Sequence, residues 1–559
     1  MSSFPPHLPE ALAVVAESKG GPRFLNIDGE EVKTGNYSFK FEKHLLLAET
    51  YEKLLTSRTR KTAGAFYTPI DVAKKFAETV VRKGPVVDPS CGGGIFLLSA
   101  AKQLAVLGGD PKDIARNQIF GADIDEWAVA VCRWELAHWA GVDPEEITGV
   151  VIADPLIERP ENWPKHFGSI IGNPPFLSQM HTTTVRTTKR REDLRSQYGN
   201  LVKAYTNEAW LFLALGLDLL EPEGQMALIQ PLSLIAARDA LEIREKILKE
   251  ASLEGLWVDQ STVFVGRTEV CAPIVKNVTS DKKEVLRYVG REIEEAASGE
   301  YPSDPSNWGE LVADLIGLPD VKIVSSGTVG HKASVTSGFR QHFYGLVPGV
   351  SEQKEETVVN PLITTAMVDP FDCLWGKKVV QFDGRKWQRP VVDLEKVAEF
   401  DRSVSEWMWV RQNPKLFIST QTRVIEVVVD EKGDWIPLTP LLIVQPYEED
   451  LWALATALSA PVISVLAARQ AVGAARSVSR ITLSSKQLSE LPLPSDKKAW
   501  GEAIGIAQTI HSSTDKDLEE LWLSFGATIN QAYGTRDDEL ISWWWSRHPA
   551  FRRKNKQNE

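Results

Sequence analysis

Val86-Val87-Asp88-Pro89-Ser90-Cys91-Gly92-Gly93-Gly94-Ile95-Phe96-Leu97-Leu98 reads as a short apolar strand, a glycine-rich turn and the opening of an apolar helix. Glycines at the end of a first parallel strand let a ligand approach the backbone. The helix that follows presents N–H groups with no intrahelical partner. No Lys-Ser or Lys-Thr pair follows, so this is not a Walker-type phosphate loop, and it lacks the spaced glycines of the dinucleotide fingerprint. Working outward, Gln118-Ile119-Phe120-Gly121-Ala122-Asp123-Ile124-Asp125 gives a second strand ending in acid. A carboxylate at Asp123 can accept both hydroxyls of a ribose, although an acidic helix cap has the same signature. Val150-Val151-Ile152-Ala153-Asp154-Pro155 gives a third strand, and Asp154 stands where a carboxylate can accept from an adenine amino group.

A fourth apolar run, Ile170-Ile171, passes through a glycine into Asn173-Pro174-Pro175-Phe176. Two prolines fix φ and remove two amide donors, so the loop is stiff and its polar groups are mostly acceptors. Such a cluster suits a flat amino group that must lose its conjugation before it attacks, and Phe176 adds a stacking face. The bland alternative is a kinked turn with a core phenylalanine. Strand, glycine turn, helix, strand-acid, helix, strand-acid, strand-NPPF is a repeating β/α order. It predicts an α/β domain with a mostly parallel central sheet and all four loops at its carboxyl edge.

This arrangement resembles the amino-group DNA methyltransferases of the gamma class, mostly adenine-N6 enzymes, whose cofactor motifs come first and whose recognition domain comes last. The likeness covers roughly residues 60 to 320, and more weakly to about 495. It implies a Rossmann-like methyltransferase domain using S-adenosyl-L-methionine. It also implies that Lys61 to Pro69, with Thr62, Gly64, Tyr67 and Thr68, pack over the methionine end of the cofactor. Asp88, Pro89, Gly92 and Gly94 match the glycine-loop motif, Asp123 with Ile124 the ribose end and Asp154 the adenine end. Asn173, Pro174, Pro175 and Phe176 match the catalytic motif, with Asn173 also beside the cofactor. Leu219 to Pro231 match the helix, Pro/Gly turn and strand that follow, with Glu223 where a second glycine is usual.

The chemistry follows from the amine. If Asn173 and the Pro174 carbonyl each accept an N6–H bond, the nitrogen turns tetrahedral and its lone pair faces the methyl donor. No cysteine follows a proline, which disfavours cytosine-C5 methylation. The target base has to flip out of duplex DNA and stack, on Phe176 and on Phe264 as a second face. The same loop also serves cytosine-N4, RNA-guanine and protein-glutamine methyltransferases. A catalytically inactive DNA-binding module is the alternative from another class.

Composition is compatible with this reading. A chain of 559 residues holds two or three domains, and its net charge of -12 excludes an all-over basic nucleic-acid binder but not a local basic cleft. Four cysteines without CxxC or framework spacing fit a reducing compartment, and no metal site is expected. No signal peptide and no apolar run of 18 residues occurs, so a cytoplasmic bacterial or archaeal protein without membrane contact is expected. Arg186, Lys189, Arg190, Arg191 and Arg195 follow the NPPF loop and are expected to grip phosphates of double-stranded DNA, the alternative being a solvated helical face.

The second half reads differently. Residues 281 to 310 look like a connection or exposed insertion. Beyond about residue 320 come short irregular strands with aromatic and basic residues: Ser337 to Arg340, Phe343 to Gly345, Trp387 to Pro390, Phe417 to Arg423 and Val424 to Val429. Leu451 to Val472 reads as one helix, and Thr482 to Leu488 leads into a Leu491-Pro492-Leu493-Pro494 exit. The expected organisation is a helical extension (1–60, with an amphipathic helix at 38–58), a catalytic domain (61–320), a mixed α+β target recognition domain (321–495) and a helical segment with a basic tail (496–559). Trp543-Trp544-Trp545 is expected to seal a helix. About 60 residues precede the catalytic region, too few for a nuclease domain. A monomeric modification enzyme is therefore expected, either solitary or working with a nuclease or other defence subunit on another chain.

Overall fold

The computed structural model describes residues 47–48, 51, 68–177, 188–259, 269–279, 282–354, 360–448, 450–473, 480–513 and 518–558. Thr62, Gly64, Tyr67, Arg186 and Phe264 lie outside the described residues, as does the helix expected at 38–58 apart from Leu47, Ala48 and Tyr51. The chain divides into two compact units, residues 1–312 and 313–559.

In the first unit α1 (Ile70–Val80) starts after Pro69 and buries Val72, Ala73, Phe76, Ala77 and Val80 along one face. The β/α alternation follows as β1 (Val86–Asp88), α2 (Ile95–Val106), β2 (Ile119–Asp123), α3 (Glu126–Ala140), β3 (Val150–Ile152) and β4 (Phe167–Gly172). Then come α4 (Thr188–Tyr198), α5 (Glu208–Leu219), β5 (Leu220–Leu228), β6 (Gln230–Pro231), α6 (Leu241–Glu250), β7 (Ser252–Val258), β8 (Val270–Lys276), β9 (Glu284–Val289) and β10 (Glu294–Glu300). The sheet order is β10-β9-β7-β8-β5-β4-β1-β2-β3, with β6 beside β8. Strands β3, β2, β1, β4 and β5 are mutually parallel, and β8 runs antiparallel between β5 and β7. Every residue of β1 and β4 is buried, as expected of central strands covered on both faces. The carboxyl ends of the parallel strands therefore meet at one edge.

Two expectations change here. Residues 284–300 are a hairpin that extends the sheet, not a connection, because β9 pairs in parallel with β7. Its solvent side carries glutamates, which blunt an edge strand and mimic loop composition. The Pro/Gly turn at 222–224 lies inside β5, where pairing with β4 shifts register and Glu223 takes φ 66°, in the left-handed region.

The second unit carries an antiparallel sheet of Ala333–Ser337, Leu442–Pro446, Lys415–Ile418 and Val427–Asp430, in that order. Lys415 and Asp430 form an ion pair of 2.6 Å, both side chains being essentially inaccessible. Residues 343–345, expected as a short strand, lie in the helix Arg340–Leu346, because His342, Gly345 and Leu346 are buried on one face. The strand expected at 424–429 begins only at Val427. The single helix expected over 451–472 is two, Leu451–Leu458 and Pro461–Ala471, bent by 58°. Pro461 lacks the amide that would continue the first helix and stands at the first position of the second. Trp543, Trp544 and Trp545 are buried, with Trp544 against Trp522 and His548. Among the described residues no single helix is long and apolar enough to cross a membrane.

Candidate active site

The carboxyl edge of the parallel strands gathers Asp88, Asp123, Asp154 and Asn173 from β1, β2, β3 and β4. Gly94 caps α2 with φ 90°, and a Cβ there would stand 2.5 Å from Cys132 Sγ, so the turn into the helix requires glycine. A Cβ at Gly92 would meet nothing within 4 Å, so the loop opens onto space on that side.

Asp88 is buried and accepts from the Ser90 N–H at 3.0 Å. Burial pushes its carboxyl up to about 8, against the pull of that hydrogen bond. Asp123 accepts from the N–H of Gly92 and of Asp125, both at 2.9 Å. Burial pushes it up to about 6, with these N–H groups working the other way. With these amide bonds spread over both oxygens, the Asp123 carboxylate keeps further acceptor capacity. Ile124 beside it is 76% exposed, an apolar surface at the same edge.

Asn173 leaves β4 with its side-chain Nδ2 donating to Thr68 Oγ1 at 3.0 Å. The structure thus joins the leading motif to the NPPF loop across 105 residues. Pro174 is buried, and the half-buried Phe176 packs against the core of this unit.

Arg190 lies differently from its expected phosphate role. From α4 its guanidinium turns inward, forming an ion pair with Asp154 and with Glu208, the latter at 2.7 Å. Glu208 is fully buried at the start of α5. Burial opposes the charge of Arg190, but the two carboxylates more than offset it and hold its pKa above the usual guanidinium value. Arg191 is partly buried, with an Nε that meets no acceptor among the described residues. Lys189 and Arg195 are the exposed cations of this helix.

Sequence reading missed Gly172 and Glu208. Gly172 precedes Asn173, and a Cβ on it would lie 2.4 Å from Asp88 Oδ1. Its bare backbone is what lets the β1 carboxylate sit beside the NPPF loop. Gly172→Ala should displace Asp88 and destabilise the fold by about 1–3 kcal/mol. Calorimetry on the variant should also show S-adenosylmethionine binding weakened by about tenfold or more. A fully wild-type affinity would show that Asp88 is not needed where it stands. The pattern Gly-Asn-Pro-Pro-Phe held that signal, since a glycine closing a buried strand marks a close approach.

A mostly parallel sheet with a glycine loop, strand-end acids and a stiff Asn-Pro-Pro-aromatic turn is the arrangement expected of an amino-group methyltransferase. The family described as N-6 DNA Methylase matches residues 42–298 of this chain. It is 33% identical over 104 residues to the type II methyltransferase M.VspI of Vibrio sp. (strain 343), a match over 18% of this chain and 23% of that protein. It is 28% identical over 117 residues to the type I restriction enzyme MjaIX methylase subunit of Methanocaldococcus jannaschii, over 21% and 19% of the two chains. The matches thus span about a quarter or less of these curated relatives. Among solved structures, the type IIL restriction-modification enzyme MmeI in complex with DNA superposes with a TM-score of 0.56 at 14% identity, covering 91% of this chain and 82% of that one. That likeness is one of fold. The cofactor the family implies is S-adenosylmethionine, and the residues fit it: a glycine loop opening onto space, and a strand-end carboxylate with acceptor capacity to spare.

Proposed function

We propose that this protein transfers a methyl group from S-adenosylmethionine to the N6 amine of an adenine flipped out of double-stranded DNA at a defined site. The observation that carries the reading is the placement of Asn173. It follows a buried strand adjacent to Asp88, and Thr68 holds its amide by the amino end. With Nδ2 engaged, the amide plane is fixed and Oδ1 is set to accept from an exocyclic amine, together with the Pro174 carbonyl. Two such bonds pull the nitrogen out of conjugation and aim its lone pair. Phe176 offers the stacking face. S-adenosylmethionine supplies an electrophilic sulfonium methyl when bound. Asp123 takes the ribose hydroxyls, Ile124 flanks the adenine and Asp154 accepts its amino group. The second unit reads the target sequence, and the protein serves as the modification activity of a restriction or phage-defence system in a prokaryotic cytoplasm.

Sequencing that detects methylated bases, applied to DNA from a host expressing the protein, tests this directly. N6-methyladenine at one recurring sequence is expected, and unmethylated DNA or N4-methylcytosine would overturn the assignment.

The acid at Asp123 gives a pH dependence. Its ionised form accepts both hydroxyls, so cofactor affinity should reach its full value well above about pH 6 and fall as the pH drops through that value. Asp123→Ala should weaken S-adenosylmethionine binding by at least about 1 kcal/mol and remove that acid limb. Unchanged affinity and an unchanged pH profile would leave Asp123 as only a brace for the glycine loop.

A further inference from the structure

The interior position of Arg190 has a consequence for catalysis. Its Nε lies 3.1 Å from both oxygens of Glu208 and its Nη2 2.7 Å from Oε2, while Nη1 reaches Asp154 Oδ2. Asp154 Oδ1 meanwhile accepts from the Leu156 N–H at 3.2 Å. On the other side, the backbone N–H of Glu208 donates to the carbonyl of Leu177 at 3.0 Å, and Leu177 directly follows Phe176. A continuous polar chain therefore runs from the acid after β3 through one guanidinium to the residue leaving the catalytic loop. It links elements 36 and 18 residues apart in sequence.

The chemistry of the chain is specific to arginine. A fully buried carboxylate needs a cation with several directed donors, and a planar fork can serve two acids at once where an ammonium serves as a point charge. Glu208 alone, without its cation, would be an uncompensated buried charge.

We propose that Arg190 is a positioning residue that fixes the Asp154 carboxylate for the cofactor's adenine amino group and ties that end of the site to the exit of the NPPF loop. The proposal rests on the reading of Asp154 as the adenine-end acid. In this arrangement Asp154 keeps one orientation because Leu156 and Arg190 each hold one oxygen. The remaining lone pairs then face the adenine from a fixed place. Movement of α4, which carries Arg190, changes the adenine end and the loop exit together.

The test compares Asp154→Asn, Arg190→Gln, Arg190→Lys and Glu208→Gln in the full chain. Each is titrated with S-adenosylmethionine and with the analogue whose purine lacks the 6-amino group. The wild-type protein should prefer the amino-bearing ligand. Asp154→Asn should abolish that preference, and Arg190→Gln should cut it by about tenfold, with Arg190→Lys between it and wild type. A role confined to stability would weaken both ligands alike and leave the preference intact, and that outcome overturns the proposal. Should Arg190→Gln not fold, Arg190→Lys and Glu208→Gln still report, because each breaks only part of the fork. If Asp154→Asn keeps the preference, the adenine-end reading itself fails. If Asp154→Asn loses the preference and all three brace variants keep it, only the positioning role fails. A salt titration of DNA binding closes the comparison. Arg190→Gln should leave the slope unchanged, and a slope reduced by about one would return Arg190 to the phosphates.

Discussion

Asn173→Ala should lower methyl transfer by about a thousandfold while changing S-adenosylmethionine affinity by less than about threefold. The reason is where the amide does its work. In the proposed mechanism the amide oxygen accepts from the target amine most strongly as that nitrogen becomes tetrahedral, so its loss falls on the transition state and not on the bound cofactor. The side chain is also held by Thr68 at 3.0 Å, so its geometry is set before substrate arrives. Thr68→Val should therefore reproduce a fraction of the effect by letting the amide rotate. Single-turnover transfer to a target duplex, with cofactor affinity measured in parallel, separates the two quantities. Near-normal turnover in Asn173→Ala would sink the assignment of the loop.

Much of this site is legible in the sequence because its chemistry is local. Asp88, Gly92 and Gly94 share one turn, Asp123 and Asp154 each close a strand, and the Asn-Pro-Pro-Phe run is contiguous. A parallel β/α order then brings those turns to one edge by topology alone. What stays hidden depends on long-range packing. Nothing in a helix reading Thr-Lys-Arg-Arg-Glu-Asp-Leu-Arg separates Arg190 from Lys189 or Arg195. Only the arrival of Glu208 and Asp154 on one side turns that one guanidinium inward. Gly172 is similar, since its need for a bare backbone appears only when Asp88 on the neighbouring strand is in place. The second unit was harder because its elements are short and aromatic. Phe339 to Gly345 carry strand-like propensity, yet burial of one helical face decides the outcome at Arg340–Leu346. The β9–β10 hairpin was missed for the opposite reason, its charged edge hiding an ordinary sheet position.

Removing residues 313–559 should leave a fragment that binds S-adenosylmethionine but no longer methylates a defined sequence. Every strand of the large sheet and every acid at its carboxyl edge belongs to the first unit, so all the acids proposed to hold the cofactor lie within residues 1–312. On the proposed reading, exposed cations such as Lys189 and Arg195 contact phosphates, and such contacts give register and affinity but carry no sequence information. Discrimination between bases needs side chains at the groove edges, each good pair contributing about 1–3 kcal/mol. If the second unit supplies several such pairs, as proposed, its loss erases preference altogether. Replacing Lys189 and Arg195 by glutamine in the intact chain should do something different: weaken binding to all duplexes alike and flatten its salt dependence by up to about two units of slope. Salt titrations on target and non-target duplexes, with calorimetry to establish that the fragment still takes the cofactor, distinguish these outcomes. A fragment that binds cofactor and keeps its sequence preference would place recognition in the first unit. A change of preference in the Lys189/Arg195 variant at an unaltered salt slope would place it on α4 itself.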